Sequence, residues 1–248
     1  MRAIGFSTGA LAKGEFRTGI ALQSSRSALR AIELSALRDH ELPSLASAAA
    51  QLDLAHFSYV SVHAPSKLTT LEERAVFAYL RGLPVDWPII VHPELVRTPT
   101  LWRTLGARLC LENMDNRKTG GRTVVEMRQL FEVLPEADFC LDLGHAQQVD
   151  PTMATAMRMV QEFGGRLRQL HVSEVGPVGQ HLPLSALAIY AFQLVAPLLP
   201  QHCPVIIESV VGPDGIEREA RINAGLFDPG RERVRSLETA LELVNWGG

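Results

Sequence analysis

The chain has 248 residues, a formal net charge of −3, and 46% hydrophobic against 21% charged residues. These values suit a globular fold with a large apolar core and exclude the composition of a disordered chain. The acidic balance lacks the basic footprint of a protein that grips a phosphate backbone, so a small-molecule substrate is expected ahead of nucleic acid.

Eight short apolar runs, at residues 3–7, 31–34, 59–62, 88–91, 108–111, 138–141, 167–170 and 204–207, alternate with longer segments of helical period. That alternation predicts parallel strands covered by helices, and the length is the usual one for an α/β single (β/α)8 TIM barrel, here one domain spanning 1–248. Thr69 with Glu72, and Thr123 with Glu126, match the capping box at helix starts. A brief helix is expected around 100–105, since the fourth unit is short. Asp150 followed by Pro151 reads as N-cap and first helical residue, with Gly164 as the stop. Cys110, Cys140 and Cys203 each lie in an apolar, strand-like run, which suits reduced, buried thiols. The most apolar stretch, 187–199, is shorter than the ~18 residues a bilayer span needs and contains Gln193 and Pro197, so no membrane span is expected. No signal peptide is readable after Met1, which gives a cytoplasmic expectation; monomer and homo-oligomer both stay open.

The residues just past strands two to eight are Glu33, His63, His92, Glu112, Asp142, His171 and Glu208, separated by 30, 29, 20, 30, 29 and 37 positions. Six consecutive strands, three to eight, ending in Asp, Glu or His is a chance event of order 10⁻⁵, or ~10⁻³ with freedom in placing the ends, so the pattern outweighs any single motif. In a barrel these positions face one mouth, where active sites assemble. Three carboxylates (Glu112, Asp142, Glu208) converging there repel one another unless a cation neutralises them. Imidazoles mixed with carboxylates suit zinc or manganese, with iron, cobalt and magnesium as further options, rather than calcium. His145, three residues past Asp142, and His181, on a long loop after His171, suit a further ion or the substrate. Glu174 and Glu33 are candidate substrate contacts, with partnership to a nearby arginine as the plainer reading. The basic runs Arg117-Lys118 with Arg122, and Arg218, Arg221, Arg231, Arg233 and Arg235, are mostly expected on solvated surface, although barrel loops at such places also receive phosphate.

Ser61-Val62-His63-Ala64-Pro65, Val91-His92-Pro93, Leu111-Glu112-Asn113, Leu141-Asp142-Leu143-Gly144-His145 and Val205-Ile206-Ile207-Glu208, taken in order, resemble the strand-end motifs of endonuclease IV. The chain is thus similar, over nearly its whole length, to the xylose-isomerase-like barrel superfamily, which also holds sugar isomerases and epimerases. The resemblance implies a central metal site of Glu112, Asp142, His171 and Glu208. It implies a second ion on His63 and His92 with Glu112 bridging, and a third on His145 and His181, so one to three ions in all. The endonuclease pattern has an aspartate two residues before the loop histidine, and this chain has Gly179; His145 and His181 are then open to substrate instead.

Two reactions share such a site. The leading expectation is an isomerase or epimerase of a small sugar, sugar phosphate or hydroxy-carbonyl compound, with Glu112 and Glu208 as the catalytic pair exchanging a proton at carbon. The alternative is an endonuclease IV-like phosphodiesterase, or another small-molecule hydrolase or oxidase. The missing aspartate, the acidic balance, and the lack of an arginine-rich or aromatic insertion for a DNA groove count against nucleic acid. A metal or ligand binder without catalysis is the third class.

Overall fold

A computed structural model describes residues 2–227 of the chain; Arg231, Arg233 and Arg235 lie outside these. Strands β1 (Ile4–Ser7), β2 (Ala31–Ser35), β3 (Tyr59–His63), β4 (Ile89–Val91), β5 (Leu109–Glu112), β6 (Asp138–Asp142), β7 (Leu167–Val172) and β10 (Val205–Ile207) form a closed barrel. Every neighbouring pair is parallel, and β1 closes the ring between β10 and β2. The two remaining strands, β8 (Glu174–Val175) and β9 (His181–Leu182), make a small antiparallel hairpin at the mouth, in the segment read from the sequence as a loop. All eight predicted barrel strands are present, each within two residues of its expected bounds.

Strands buried on both faces read as continuous apolar runs, and the two faces here serve different ends. Outward residues such as Phe6, Ile32, Leu34, Val62, Leu111, Phe139 and Leu141 pack against helix residues including Leu42, Val76, Leu80, Met127, Phe131, Phe163 and Phe192, all buried. Inward residues form layers. Ile90, Cys110 and Cys140 make a separate buried cluster inside the ring. Two positions on, the alternation of strand side chains delivers His92, Glu112 and Asp142 to the layer above. All three cysteines are free and buried, as their apolar settings implied.

Helix starts show where local pattern yields to the fold. Thr123 accepts from the Glu126 amide and the Glu126 side chain returns to the cap backbone, completing the expected box. Thr69 does not cap a helix. Its amide and hydroxyl both donate to Asp39, which comes from a different loop, and the helix begins instead at Glu73. The helix expected from Asp150 starts at Ala154: the preceding helix, Leu143–Val149, runs up to Asp150, so the chain needs a turn before the next one. Met153 makes that turn at φ 60, while Asp150 accepts from the Thr152 and Thr155 amides. Between β4 and β5 the brief helix is Pro99–Trp102, continued by a 3-10 segment, Arg103–Arg108. No helix among the described residues is long and apolar enough to cross a membrane.

Candidate metal centre

Each strand brings its inward terminal residue to the mouth in register. Asp142 pairs with His171, and Ser35 with His63, across their ladders, so the side chains converge at one height. Ligand atoms of Glu112, Asp142, His171 and Glu208 lie within 4.8 Å of one another, as do those of His63, His92 and Glu112, and of His63, His171 and Glu208. Glu112 belongs to two of these groups. Its Oε2 lies 3.1 Å from His63 Nε2 and 3.2 Å from His92 Nε2, while its Oε1 lies 3.4 Å from His171 Nδ1.

The hydrogen bonds set which nitrogen of each imidazole faces the cluster. His63 Nδ1 donates to Ala64 O at 2.6 Å and its Nε2 donates to Glu112 Oε2 at 3.1 Å, so an ion taking Nε2 would displace that proton. His171 Nε2 donates to Glu33 Oε2 at 3.0 Å, which leaves Nδ1 facing Glu112 and Glu208. Such outer partners fix the tautomer and raise the basicity of metal-binding histidines. His171 Nδ1 and Asp142 Oδ2 are buried and have no hydrogen-bond partner among the described residues. Leaving buried polar atoms unpaired costs about 1–3 kcal/mol each; a cation in the group would use both. The donor set therefore fits a divalent ion.

Charge in the cluster is finely divided. Burial works against ionising Glu112, but the imidazoles of His92 and His171 outweigh it and hold the carboxyl well below its usual range. Burial, reinforced by Glu112 and Glu208, pushes Asp142 up to about 6. Glu208 is raised by burial too. Against their own burial, the surrounding carboxylates lift His63 to about 9 and His145 to about 10. Burial lowers His92 and His181. With no cation, protons on histidines balance the acids.

The structure places the remaining expected residues as follows. His145 and His181 both line the cavity above the cluster, which has a volume of about 640 Å³ and is also walled by Glu112, Glu208, His63 and His92. Their ligand atoms do not complete a third metal group with any carboxylate among the described residues. His145 Nδ1 donates to Asn113 O at 2.9 Å, and His181 Nδ1 shares a bond with Ser173 Oγ at 2.9 Å. Glu33 sits a layer lower, with 0% exposure, and takes bonds from Ser61, Gln169 and His171. It supports His171 and does not line the cavity, because its strand position points into the filled barrel. Glu174 accepts from the Ser185 amide at the start of helix Ala186–Val195 and stays off the cavity wall.

Two residues at the mouth are given no role by the sequence pattern, although Asn113 stands inside one of its strand-end motifs. Asn113 clamps the Asp142 backbone from both sides, Oδ1 accepting from Asp142 N and Nδ2 donating to Asp142 O. Asp115 is 1% exposed and paired with Arg117. An acid three residues beyond the strand-end Glu112 was the signal available for it.

No protein-family model matches the chain, and no curated protein does. Solved structures do. Endonuclease IV from Thermus thermophilus is 18% identical with a TM-score of 0.60, covering 92% of this chain and 100% of its own. AP endonuclease, family 2, from Brucella melitensis is 14% identical with a TM-score of 0.55, covering 94% and 100%. A protein assigned as a sugar phosphate isomerase/epimerase, from Anabaena variabilis, is 14% identical with a TM-score of 0.55, covering 89% and 88%. At these identities the likeness is one of fold. The chain has a (β/α)8 barrel fold like that of these structures, with clusters of side chains that could hold a metal ion at its mouth.

Proposed function

We propose that the chain is a divalent-metal enzyme that hydrolyses a phosphoester of a small molecule, with two ions sharing Glu112. The observation that carries this is the division of Glu112 between two ligand groups, one oxygen facing His63 and His92 and the other facing His171. His63, His92 and Glu112 would hold one ion, and Glu112, Asp142, His171 and Glu208 the other. The mixed nitrogen and oxygen donors favour zinc or manganese. Bound ions supply Lewis acidity and a hydroxide at neutral pH, the chemistry of two-metal phosphoester cleavage. Glu112 fixes the spacing of the two positions, and Glu33 fixes the ring of His171. Glu208, with its side chain 14% exposed, stands at the cavity wall together with His145 and His181, where they orient the substrate. A cavity of about 640 Å³ matches small ligands.

Isomerisation or epimerisation of a small sugar, sugar phosphate or hydroxy-carbonyl compound is the second reading. It is favoured by Glu208, a raised carboxyl open to the cavity, which suits proton exchange at carbon. Glu112 favours hydrolysis, since a carboxylate held between two ion positions has no oxygen left to carry a proton.

Elemental analysis of the purified chain, with turnover of bis(p-nitrophenyl) phosphate and p-nitrophenyl phosphate, tests the first reading. Two ions per chain and chelator-sensitive phosphoester cleavage are expected. One ion per chain, with solvent deuterium entering dihydroxyacetone phosphate or a simple ketose at carbon, would transfer the site to the second reading. A chain that stays metal-free in excess zinc and manganese would overturn both. Incision of abasic-site DNA would move the substrate to nucleic acid.

A further inference from the structure

Gly179, in the turn between β8 and β9, has φ +84, and a Cβ there would lie 1.6 Å from Arg117 Nη1. No side chain fits at 179 while Arg117 keeps its place, and the backbone angle is itself one that only glycine adopts freely. A guanidinium stands against the bare backbone there.

Arg117 is tightly fixed. Nη1 donates to Val178 O at 2.8 Å, Nε lies 3.2 Å from each Asp115 oxygen, and Nη2 donates to Asp115 Oδ2. Asp115 also accepts from the Arg117 amide at 2.8 Å, so both of its oxygens are committed to holding the arginine. A guanidinium has five N–H groups, and these contacts leave two without an acceptor. The side chain is 40% exposed and lines the cavity above the metal groups. Lys67 lines the same cavity and makes no ion pair among the described residues, whereas neighbouring Lys118 is bound to Glu94 at 2.9 Å. A fixed fork of donors and an unpaired ammonium on the wall of one cavity match an oxyanion in charge and hydrogen-bonding capacity.

We propose that Arg117 and Lys67 form an anion subsite at the cavity rim, so that the substrate carries a second anionic group, carboxylate or phosphate, besides the one presented to the ions. This rests on the metal-centre reading above for where the first group lies.

Three non-hydrolysable ligands test it on the metal-loaded full chain by calorimetry: propylphosphonate with one anion, 3-phosphonopropionate with an added carboxylate, and propane-1,3-diphosphonate with a second phosphonate. At least one two-anion ligand is expected to bind about tenfold or more tighter than propylphosphonate, and the better of the two names the group. In Arg117→Gln that advantage should fall below about threefold while propylphosphonate affinity and metal content stay unchanged; Lys67→Gln, an exposed position, should lose part of it. Equal binding of all three ligands to the wild type, or an advantage that survives Arg117→Gln, would overturn the subsite. Should elemental analysis find no ions, the metal reading fails alone, and the Arg117 dependence of two-anion binding still decides the subsite.

Discussion

Two buried acids in this molecule sit in opposite surroundings. Asp39 has 0% exposure and accepts five hydrogen bonds, from the amides of Thr69, Thr70 and Leu71 and the hydroxyls of Thr69 and Thr70. Burial opposes its charge, but the Leu71 and Thr70 amides outweigh that and hold the carboxyl below its usual range. Asp142 has equal burial, yet its Oδ2 accepts nothing and its carboxyl is pushed up to about 6. A structural acid arrives with its donors built in, whereas an acid left short of donors among other acids is a candidate partner for a cation. Exposure alone does not separate them; the donor inventory does.

The strongest way to break this contrast is Glu112→Gln, which keeps the shape and removes the shared charge. Activity is expected to fall by about 10²–10³-fold or more, and elemental analysis should show fewer ions per chain; an active, fully metallated variant would sink the metal assignment. Asp39→Ala should instead leave metal content intact and lower stability by about 2 kcal/mol, as the loss of a multiply bonded buried cap does. Because the folded carboxyl lies below its unfolded value, that stabilisation is complete above pH ~4 and fades as the pH falls further. Urea midpoints of wild type and variant should therefore converge in acid, and a constant gap down to pH ~3 would contradict it.

Glu33→Gln sharpens the comparison from beneath the site. Weakening the partner of His171 Nε2 should loosen metal binding by about 10–100-fold without unfolding the barrel, read by competition with a chromophoric chelator. The smallest effect is on pH dependence. His63 in the ion-free protein is raised to about 9, so at neutral pH it holds a proton that an ion must displace. Affinity should rise about tenfold per pH unit for each proton released and flatten above pH ~9, with heats that vary with buffer ionisation. Affinity flat from about pH 7 to about pH 9 would show that His63 is not a ligand.

The barrel was legible because its signals are local. An apolar strand needs only its own run of apolar residues, and the repeat of strand-end acids and imidazoles survives in one dimension because each strand contributes one candidate ligand. The same holds for Thr123 and Glu126, which cap their own helix. Thr69 misled because its hydroxyl belongs to Asp39, thirty residues away, and Asp150 because a preceding helix occupied the residues beside it.

The order of residues by itself determined the strand count, the ring of candidate ligands and the excess of acid at the mouth. Tertiary structure alone decided that Glu33 supports His171 from below, that Glu112 offers its two oxygens to different histidines, and that Arg117 lies across Gly179. Each of these depends on distances between separate strands or loops, which closing the barrel sets and which no spacing along the chain encodes.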